Sequence, residues 1–190
     1  AELEDPTIDM ATLSNNLRKI NGTNYEGELN LVGNDKANEL RAGSGGSTLD
    51  GREGTDKLYG GDGVDIFVIS VGGGNDQIYS YNGDQGDLIM LIGDANLTKA
   101  NFQDSNENTF LKLGTEKVML SNPIGAITVV DEDESELIVY GQSLPSGVRY
   151  ENNKTRLVIG SNAELDDNDS EFAVEDYVNN LRDIDASSYA

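Results

Sequence analysis

Acids and glycines recur in this chain at a fixed spacing. Written in nines from Gly33, the sequence reads GNDKANELR, AGSGGSTLD, GREGTDKLY and GGDGVDIFV, and after two extra residues, Ile69 and Ser70, it resumes as VGGGNDQIY from Val71 to Tyr79. Position six is Asn38, Ser47, Asp56, Asp65 and Asp76, an acid or a neutral oxygen donor each time. Position four is glycine in Gly45, Gly54, Gly63 and Gly74, and position eight is apolar throughout, as Leu40, Leu49, Leu58, Phe67 and Ile78. A short period of this kind marks a solenoid in which each repeat sends one side chain into a shared interior.

The chemistry of such a pattern is ion binding. Glycine enters left-handed conformations without a Cβ clash, so turn carbonyls can converge. A hard cation such as Ca²⁺ takes about 6–8 oxygen ligands, whereas one turn offers a single carboxylate and a few carbonyls. Two turns must therefore share each ion. If each repeat is a turn plus a short strand, successive turns fall on opposite sides of a flattened solenoid, and repeats n and n+2 stack. The expected pairs are Asn38 with Asp56, Ser47 with Asp65, and Asp56 with Asp76, the last weakened by the Ile69-Ser70 insertion. Carbonyls at position one (Gly33, Gly51, Gly60) and position three (Asp35, Glu53, Asp62, Gly73) complete the candidate ligand set.

The remaining composition narrows the function. The chain has 190 residues, a formal net charge of −22, and neither His nor Cys. Thiol nucleophiles, imidazole bases, ordinary zinc sites and disulfides are thereby excluded, and no pair of carboxylates stands out as catalytic. So acidic a surface repels phosphate, which argues against nucleic acid as a partner. No apolar run reaches the roughly 18 residues of a membrane span.

Composition also segments the chain: 1–32 as a lead-in and N-terminal cap, 33–89 as the ion-binding roll, 90–160 as a β-hairpin cap, and 161–190 as an acidic linker. Fourteen of the 22 glycines lie between Gly33 and Ile89. Hairpins are expected where Phe110 to Leu113 meets Lys117 to Leu120 across Gly114-Thr115, where Ala126 to Val130 meets Leu137 to Tyr140, and where Val148 to Tyr150 meets Arg156 to Ile159. Short helices are expected around Met10, Leu13 and Leu17 and around Val174, Tyr177, Val178 and Leu181. The run Asp166 to Glu171 resembles an EF-hand start but lacks its glycine, and reads better as an acidic loop.

The nonapeptides resemble the G-G-x-G-x-D-x-U-x repeat of RTX (hemolysin-type) proteins, with GGDGVDIFV fitting every named position. This resemblance implies a mainly β fold, a right-handed parallel β-roll flanked here by hairpin caps, that is disordered without calcium. It also implies a non-enzymatic, secreted or surface protein of bacterial type I export. The expected role is a calcium-binding structural or adhesion module. The rival is a calcium-dependent secretion tail of a hydrolase or pore-forming toxin. A cell-surface or glycan target would use exposed tyrosines such as Tyr79, Tyr81, Tyr140 or Tyr150.

A second period is much longer. NNLRKINGTNY at Asn15 to Tyr25 matches NNLRDIDASSY at Asn179 to Tyr189 at six of eleven positions, with a constant offset of 164 residues. The last residues thus resemble the start of another unit, and neighbouring repeat units become expected partners.

Overall fold

The computed structural model describes residues 6–141, 148–151, 156–159 and 183–185. In chain order its first elements are β1 (Thr7–Asp9), the single-turn helix α1 (Met10–Leu13), β2 (Lys19–Asn21), β3 (Leu29–Val32), β4 (Glu39–Arg41), β5 (Ser47–Asp50), β6 (Lys57–Tyr59), β7 (Asp65–Ser70), β8 (Gln77–Tyr79) and β9 (Leu88–Ile92). From β2 onward, consecutive strands alternate between two sheets. One has the order β1-β3-β5-β7-β9, the other β8-β6-β4-β2, and every pairing within these runs is parallel. The chain therefore coils as a flattened β-solenoid, with repeats n and n+2 stacked as the period requires.

Alternation along each short strand explains why the coil closes. Residue eight points inward, and residues seven and nine point outward. The inward residues form two ladders: Ile20, Leu40, Leu58 and Ile78 on one sheet, and Leu31, Leu49, Phe67 and Ile89 on the other. All are buried, and together they make the core.

The Ile69-Ser70 insertion behaves differently from the sequence expectation. It lengthens β7, where Ile69 is buried, and β9 is lengthened to match, with Ile69 opposite Leu91 and Ser70 opposite Ile92. The Asp56/Asp76 pairing sits on the other sheet and keeps its register, with Lys57 opposite Gln77.

Past β9 the solenoid is interrupted and then resumed. Strands β10 (Phe102–Ser105), β11 (Asn108–Leu113) and β12 (Glu116–Ser121) form an antiparallel meander, and β12 joins β8 in parallel. Strand β13 (Ile127–Val130) joins β9 in parallel, and β14 (Glu136–Tyr140) folds back on β13 as a hairpin. Leu120 and Val129 extend the two core ladders. The third expected hairpin is also present as β15 (Val148–Glu151) and β16 (Arg156–Ile159), with β17 (Asp183–Asp185) alongside β16 in parallel.

The N-terminal helix is shorter than the spacing suggests. It is one turn, Met10–Leu13, capped by the Asp9 carboxylate; Met10 is buried, while Leu13 and Leu17 are exposed. The second expected helix, at 174–181, and the acidic run 166–171 lie outside the described residues.

The hairpin cap is fastened by a buried polar group. Asp104 on β10 accepts from Thr109 Oγ1 (2.6 Å) and from the Tyr140 hydroxyl (2.8 Å), so a carboxylate of one sheet is held by a tyrosine of the other. The Phe102 and Tyr140 rings stack at 4.4 Å. Tyr140→Phe keeps the stacking and leaves Asp104 Oδ2 without its hydroxyl donor, which costs about 1–3 kcal/mol. A melting temperature a few degrees lower, with calcium affinity unchanged, is the expected result of thermal denaturation and titration on this variant.

Candidate metal centre

Each turn before a strand places its position-six side chain at the same height, and parallel stacking lines these residues up in two columns. On one edge Asn38, Asp56 and Asp76 are in register, one residue ahead of the pairs Glu39/Lys57 and Lys57/Gln77. On the other edge Ser47 stands opposite Asp65. The structure therefore brings together all three pairs expected from the sequence.

A further carboxylate belongs to the second column. Asp87 precedes Leu88, which pairs with Ile66, so it stacks on Asp65. It completes a sixth nine, Asn82 to Met90, displaced by the extra residues Ser80 and Tyr81. The signal was present in Asn82-Gly83 and in the spacing of Asp87 to buried Ile89. The missing glycine at position four, where Gln85 stands, hid it.

These side chains are buried: Asp56 and Asp65 are 0% exposed, Asp87 2%, Asp76 and Asn38 4%, and Ser47 6%. Their hydrogen bonds run from turn to turn. The Asn38 N–H donates to Asp56 Oδ1 (2.7 Å), the Asp56 N–H to Asp76 Oδ1 (2.9 Å), and the Asp65 N–H to Asp87 Oδ1 (2.8 Å). The second oxygens differ. Asp65 Oδ2 accepts from the Gly61 N–H (2.7 Å) and Asp87 Oδ2 from the Asn82 N–H (2.8 Å).

Three buried oxygens in these columns accept nothing: Asp56 Oδ2, Asp65 Oδ1 and Ser47 Oγ. A buried polar atom without a partner is unfavourable, and a buried carboxylate without a counter-charge more so. Oxygens of this kind, beside turn carbonyls, suit a hard divalent cation. Among the described residues no three acidic side chains converge on one point. Any ion here must be held by one or two carboxylates, with backbone carbonyls completing the shell.

The glycines at position one have a steric role besides any carbonyl ligation. A Cβ on Gly33 would run into Asn38 Oδ1, one on Gly51 into Asp56 Oδ2, and one on Gly60 would come within 2.8 Å of Asp65 Oδ2. In the second nine, position one is Ala42 and position six is the shorter Ser47, so the extra methyl is matched by a smaller partner. Position-four glycines serve the stacking itself. Gly54 and Gly74 adopt φ of 136° and 135°, and a Cβ on Gly74 would strike the Gly54 carbonyl below it. At position three, the side chains of Asp35, Glu53 and Asp62 point into solvent, leaving only their carbonyls for the turn.

Burial governs the ionisation of the columns. It pushes the Asp56 and Asp65 carboxyls from the ordinary 3.8 up to about 7 and Asp76 to about 6, with Asp76 adding repulsion at Asp56 and Asp87 at Asp65. Asp87 is raised by the same cause. Backbone N–H donors oppose these shifts without cancelling them.

Both columns end where the ligand type ends. On the Ser47 side the flanking position-six residues are Leu29 and Ile127, both buried; on the Asn38 side they are Arg18 and buried Val118. Two inter-turn sites remain on each edge: Asn38/Asp56 and Asp56/Asp76 on one, Ser47/Asp65 and Asp65/Asp87 on the other.

Other sequence candidates fare otherwise. Tyr81 and Tyr140 are buried, at 1% and 2% exposure, so neither forms an exposed glycan platform. Tyr81 is a core residue whose hydroxyl donates to the Asp87 and Ala126 carbonyls and accepts from the Thr128 N–H. Tyr79 stacks on Tyr59 at 4.5 Å, half-buried on the outer sheet face. The side chain of Tyr150 lies outside the described residues. The acidic tip at Asp131 to Glu134 is a turn in which Asp131 Oδ1 accepts from the Asp133 and Ser135 N–H groups.

Stacked turns with buried carboxylates on both edges define a β-solenoid built for hard divalent cations. The sequence profile of the RTX calcium-binding nonapeptide repeat matches residues 32–67 and 68–84, in four copies, and the chain carries an RTX module, whose family binds Ca²⁺. No curated protein and no solved structure matches the chain.

Two outcomes follow for solution work. Asp65→Ala and Asp56→Ala, and equally Asp87→Ala, are expected to lower calcium affinity at least about tenfold, because each removes a charged candidate ligand that turn carbonyls cannot replace. Asp62→Ala, whose side chain is outside the turn, leaves affinity within about twofold; calorimetric titration of the four variants decides. The second outcome concerns pH. Because folded-state pKa values are raised, the stability these groups contribute to the calcium-free protein is complete below pH 3.8 and gone once pH rises past about 7. In chelator the β signal is therefore strongest near pH 4.5 and is lost as the pH rises toward 8. In saturating calcium the trend reverses, since protons and Ca²⁺ compete for the same oxygens.

Proposed function

We propose that this chain is a non-enzymatic, extracellular calcium-binding module of a repeat protein, whose folding is completed by calcium after export. The observation that carries the reading is the pair of columns in which Asp56, Asp65, Asp76 and Asp87 are buried on neighbouring turns, with oxygens of Asp56, Asp65 and Ser47 left unpartnered. In a compartment poor in calcium, these groups favour an open chain. They must either take up protons or remain as uncompensated charge in the interior, on top of a net charge of −22. Outside the cell, cations bound between turns n and n+2 neutralise the columns and tie alternate coils together.

The ligands would be Asn38, Asp56 and Asp76 on one edge and Ser47, Asp65 and Asp87 on the other, with carbonyls of positions one and three. An ion there supplies positive charge and directional coordination, and the chain supplies the close approach that its glycines permit. An extracellular role agrees with the occurrence of RTX repeats in type I secreted proteins. Neighbouring units, suggested by the match of Asn15 to Tyr25 with Asn179 to Tyr189, make the module one of a tandem array with a structural or adhesive role.

Chelation tests this directly. Each native-only site at 100 times its dissociation constant contributes about 2.7 kcal/mol, so several sites rival the roughly 5–15 kcal/mol of a whole domain. Excess chelator is expected to abolish the β signal of the solenoid in circular dichroism, calcium to restore it, and magnesium to do so poorly because of its octahedral demand. An unchanged spectrum and melting temperature in chelator would refute the reading.

A further inference from the structure

Strands β2 and β17 are the same element in two places. The 164-residue offset that relates Asn15 to Asn179 maps Lys19, Ile20 and Asn21 onto Asp183, Ile184 and Asp185. Those are the residues that form β2 and β17, so two segments matched by sequence alone also share strand length and boundaries. Their neighbours differ. Strand β2 lies beside β4 and ends its sheet, whereas β17 lies beside β16, in parallel, with Arg156 opposite Asp183, Leu157 opposite Ile184 and Val158 opposite Asp185.

Among the described residues each strand thus shows the pairing that the other lacks. Among the described residues no strand pairs with the outer edge of β2. The Arg18 carbonyl and the Gly22 N–H are bonded to β4. Main-chain groups alternate between edges, so those of Lys19 and Asn21 point to the open side. Ile20 is buried and its two neighbours are exposed, the same apolar residue between two polar ones as in Asp183-Ile184-Asp185. An edge of this kind is a template for another strand unless something covers it.

We infer that the outer edge of β2 is the docking edge for the β15–β16 hairpin of a second copy of this unit, with β16 parallel to β2 and Leu157 opposite Ile20. The junction between units is then a continuous sheet: β15, β16, the next unit's β2, its β4, and so on up its solenoid. One residue pair changes sign of charge in this register. Arg156 stands opposite Asp183 in β17 but opposite Lys19 in β2, and Lys19 is itself held by Glu39 at 2.8 Å, which supplies the carboxylate that β17 carries in its own sequence.

This inference rests on the tandem reading above, and the test separates the two. The chain contains no cysteine, so introduced pairs report without background. Two copies are joined in frame at the match, residues 1–178 of the first being followed by residues 15–190 of the second. Arg156→Cys in the first copy is combined with Lys19→Cys in the second, or with Asn21→Cys as the out-of-register partner. Arg156→Cys with Asp183→Cys in the single chain serves as reference.

In calcium and mild oxidant, the 156–19 pair is expected to close at about the rate of the reference and at least about tenfold faster than 156–21, since directly opposed Cα atoms fall within disulfide reach. The cross-linked protein should keep the calcium-folded spectrum. Equal rates for the two pairs, closure in chelator alone, or loss of the calcium-folded state on cross-linking would overturn the junction. If the joined protein still folds at a lower calcium midpoint than the single chain while the 156–19 pair stays open, the units couple by another surface. The tandem reading then survives and this inference does not. A chain that calcium fails to fold refutes the calcium reading by itself, and is seen before any cross-link is made.

Discussion

Carboxylates buried in a column against backbone, one above another, set the terms for the rest of this structure. Asp56 and Asp76 on one edge, and Asp65 and Asp87 on the other, sit in neighbouring turns with almost no solvent. Backbone N–H groups satisfy one oxygen of Asp56, Asp65 and Asp76 and both of Asp87, and cannot supply charge. The column is tolerable only where something positive, a proton or a cation, accompanies it. At Gly51 and Gly60 the same constraint requires glycine, since the carboxylate of each turn leaves no room for a Cβ on Gly51 and little on Gly60, whereas Val71 and Asn82 hold that position before Asp76 and Asp87. The parallel register follows as well, because a slip of one residue would lift every position-six oxygen out of its column.

The position-six columns and the hydrophobic ladders have different lengths, and that difference shows how the module ends. Ile20 and Leu31 begin the ladders below the first candidate ligand, and Leu120 and Val129 continue them above the last. In those outer coils position six is Arg18, Leu29, Val118 or Ile127. Coils without an acid at position six thus flank both ends of the charged stack, so that no carboxylate pair lies at an open face. The antiparallel hairpins then complete the upper end, where Asp104 and Tyr140 join the two sheets.

Much of this was legible in the sequence because a nine-residue turn-and-strand unit leaves few choices. Apolar position eight gives the core, alternate turns must face opposite edges, and the pairs Asn38/Asp56 and Ser47/Asp65 follow by counting. The hairpins were legible for a different reason, since Gly114-Thr115 and the acidic tip at Asp131 to Glu134 interrupt runs of strand formers. Illegible were the coils that keep the geometry and lose the chemistry. NYEGELNLV at Asn24 to Val32 and NPIGAITVV at Asn122 to Val130 each retain glycine at position four and an apolar position eight, with Leu29 and Ile127 where the acid would be. A search keyed to acids passes over them. Tyr81 misled for a related reason: it lies in a two-residue insertion, which reads as a loop, yet that insertion turns its ring into the core toward Phe67, 6.0 Å away.

Insertions show what the solenoid treats as its unit. The two residues added at Ile69-Ser70 are answered by an equal lengthening of β9, the strand two coils on, whereas β6 and β8, the strands nearest in sequence, remain three residues long. Pairing on a sheet couples coil n to coil n+2, and a strand can grow only with the partner that satisfies its main-chain groups. The molecule is accordingly two interleaved stacks, joined by the chain as it crosses from sheet to sheet and by the core between them. Ions placed between position-six residues would follow the same rule, each tying n to n+2 on one edge. Neither row of ions alone could hold adjacent coils together; that falls to Leu40, Leu49, Leu58, Phe67 and their neighbours, where the two ladders meet. Cations so placed and the core would therefore stabilise perpendicular directions of one object, each relying on the lattice that the other holds.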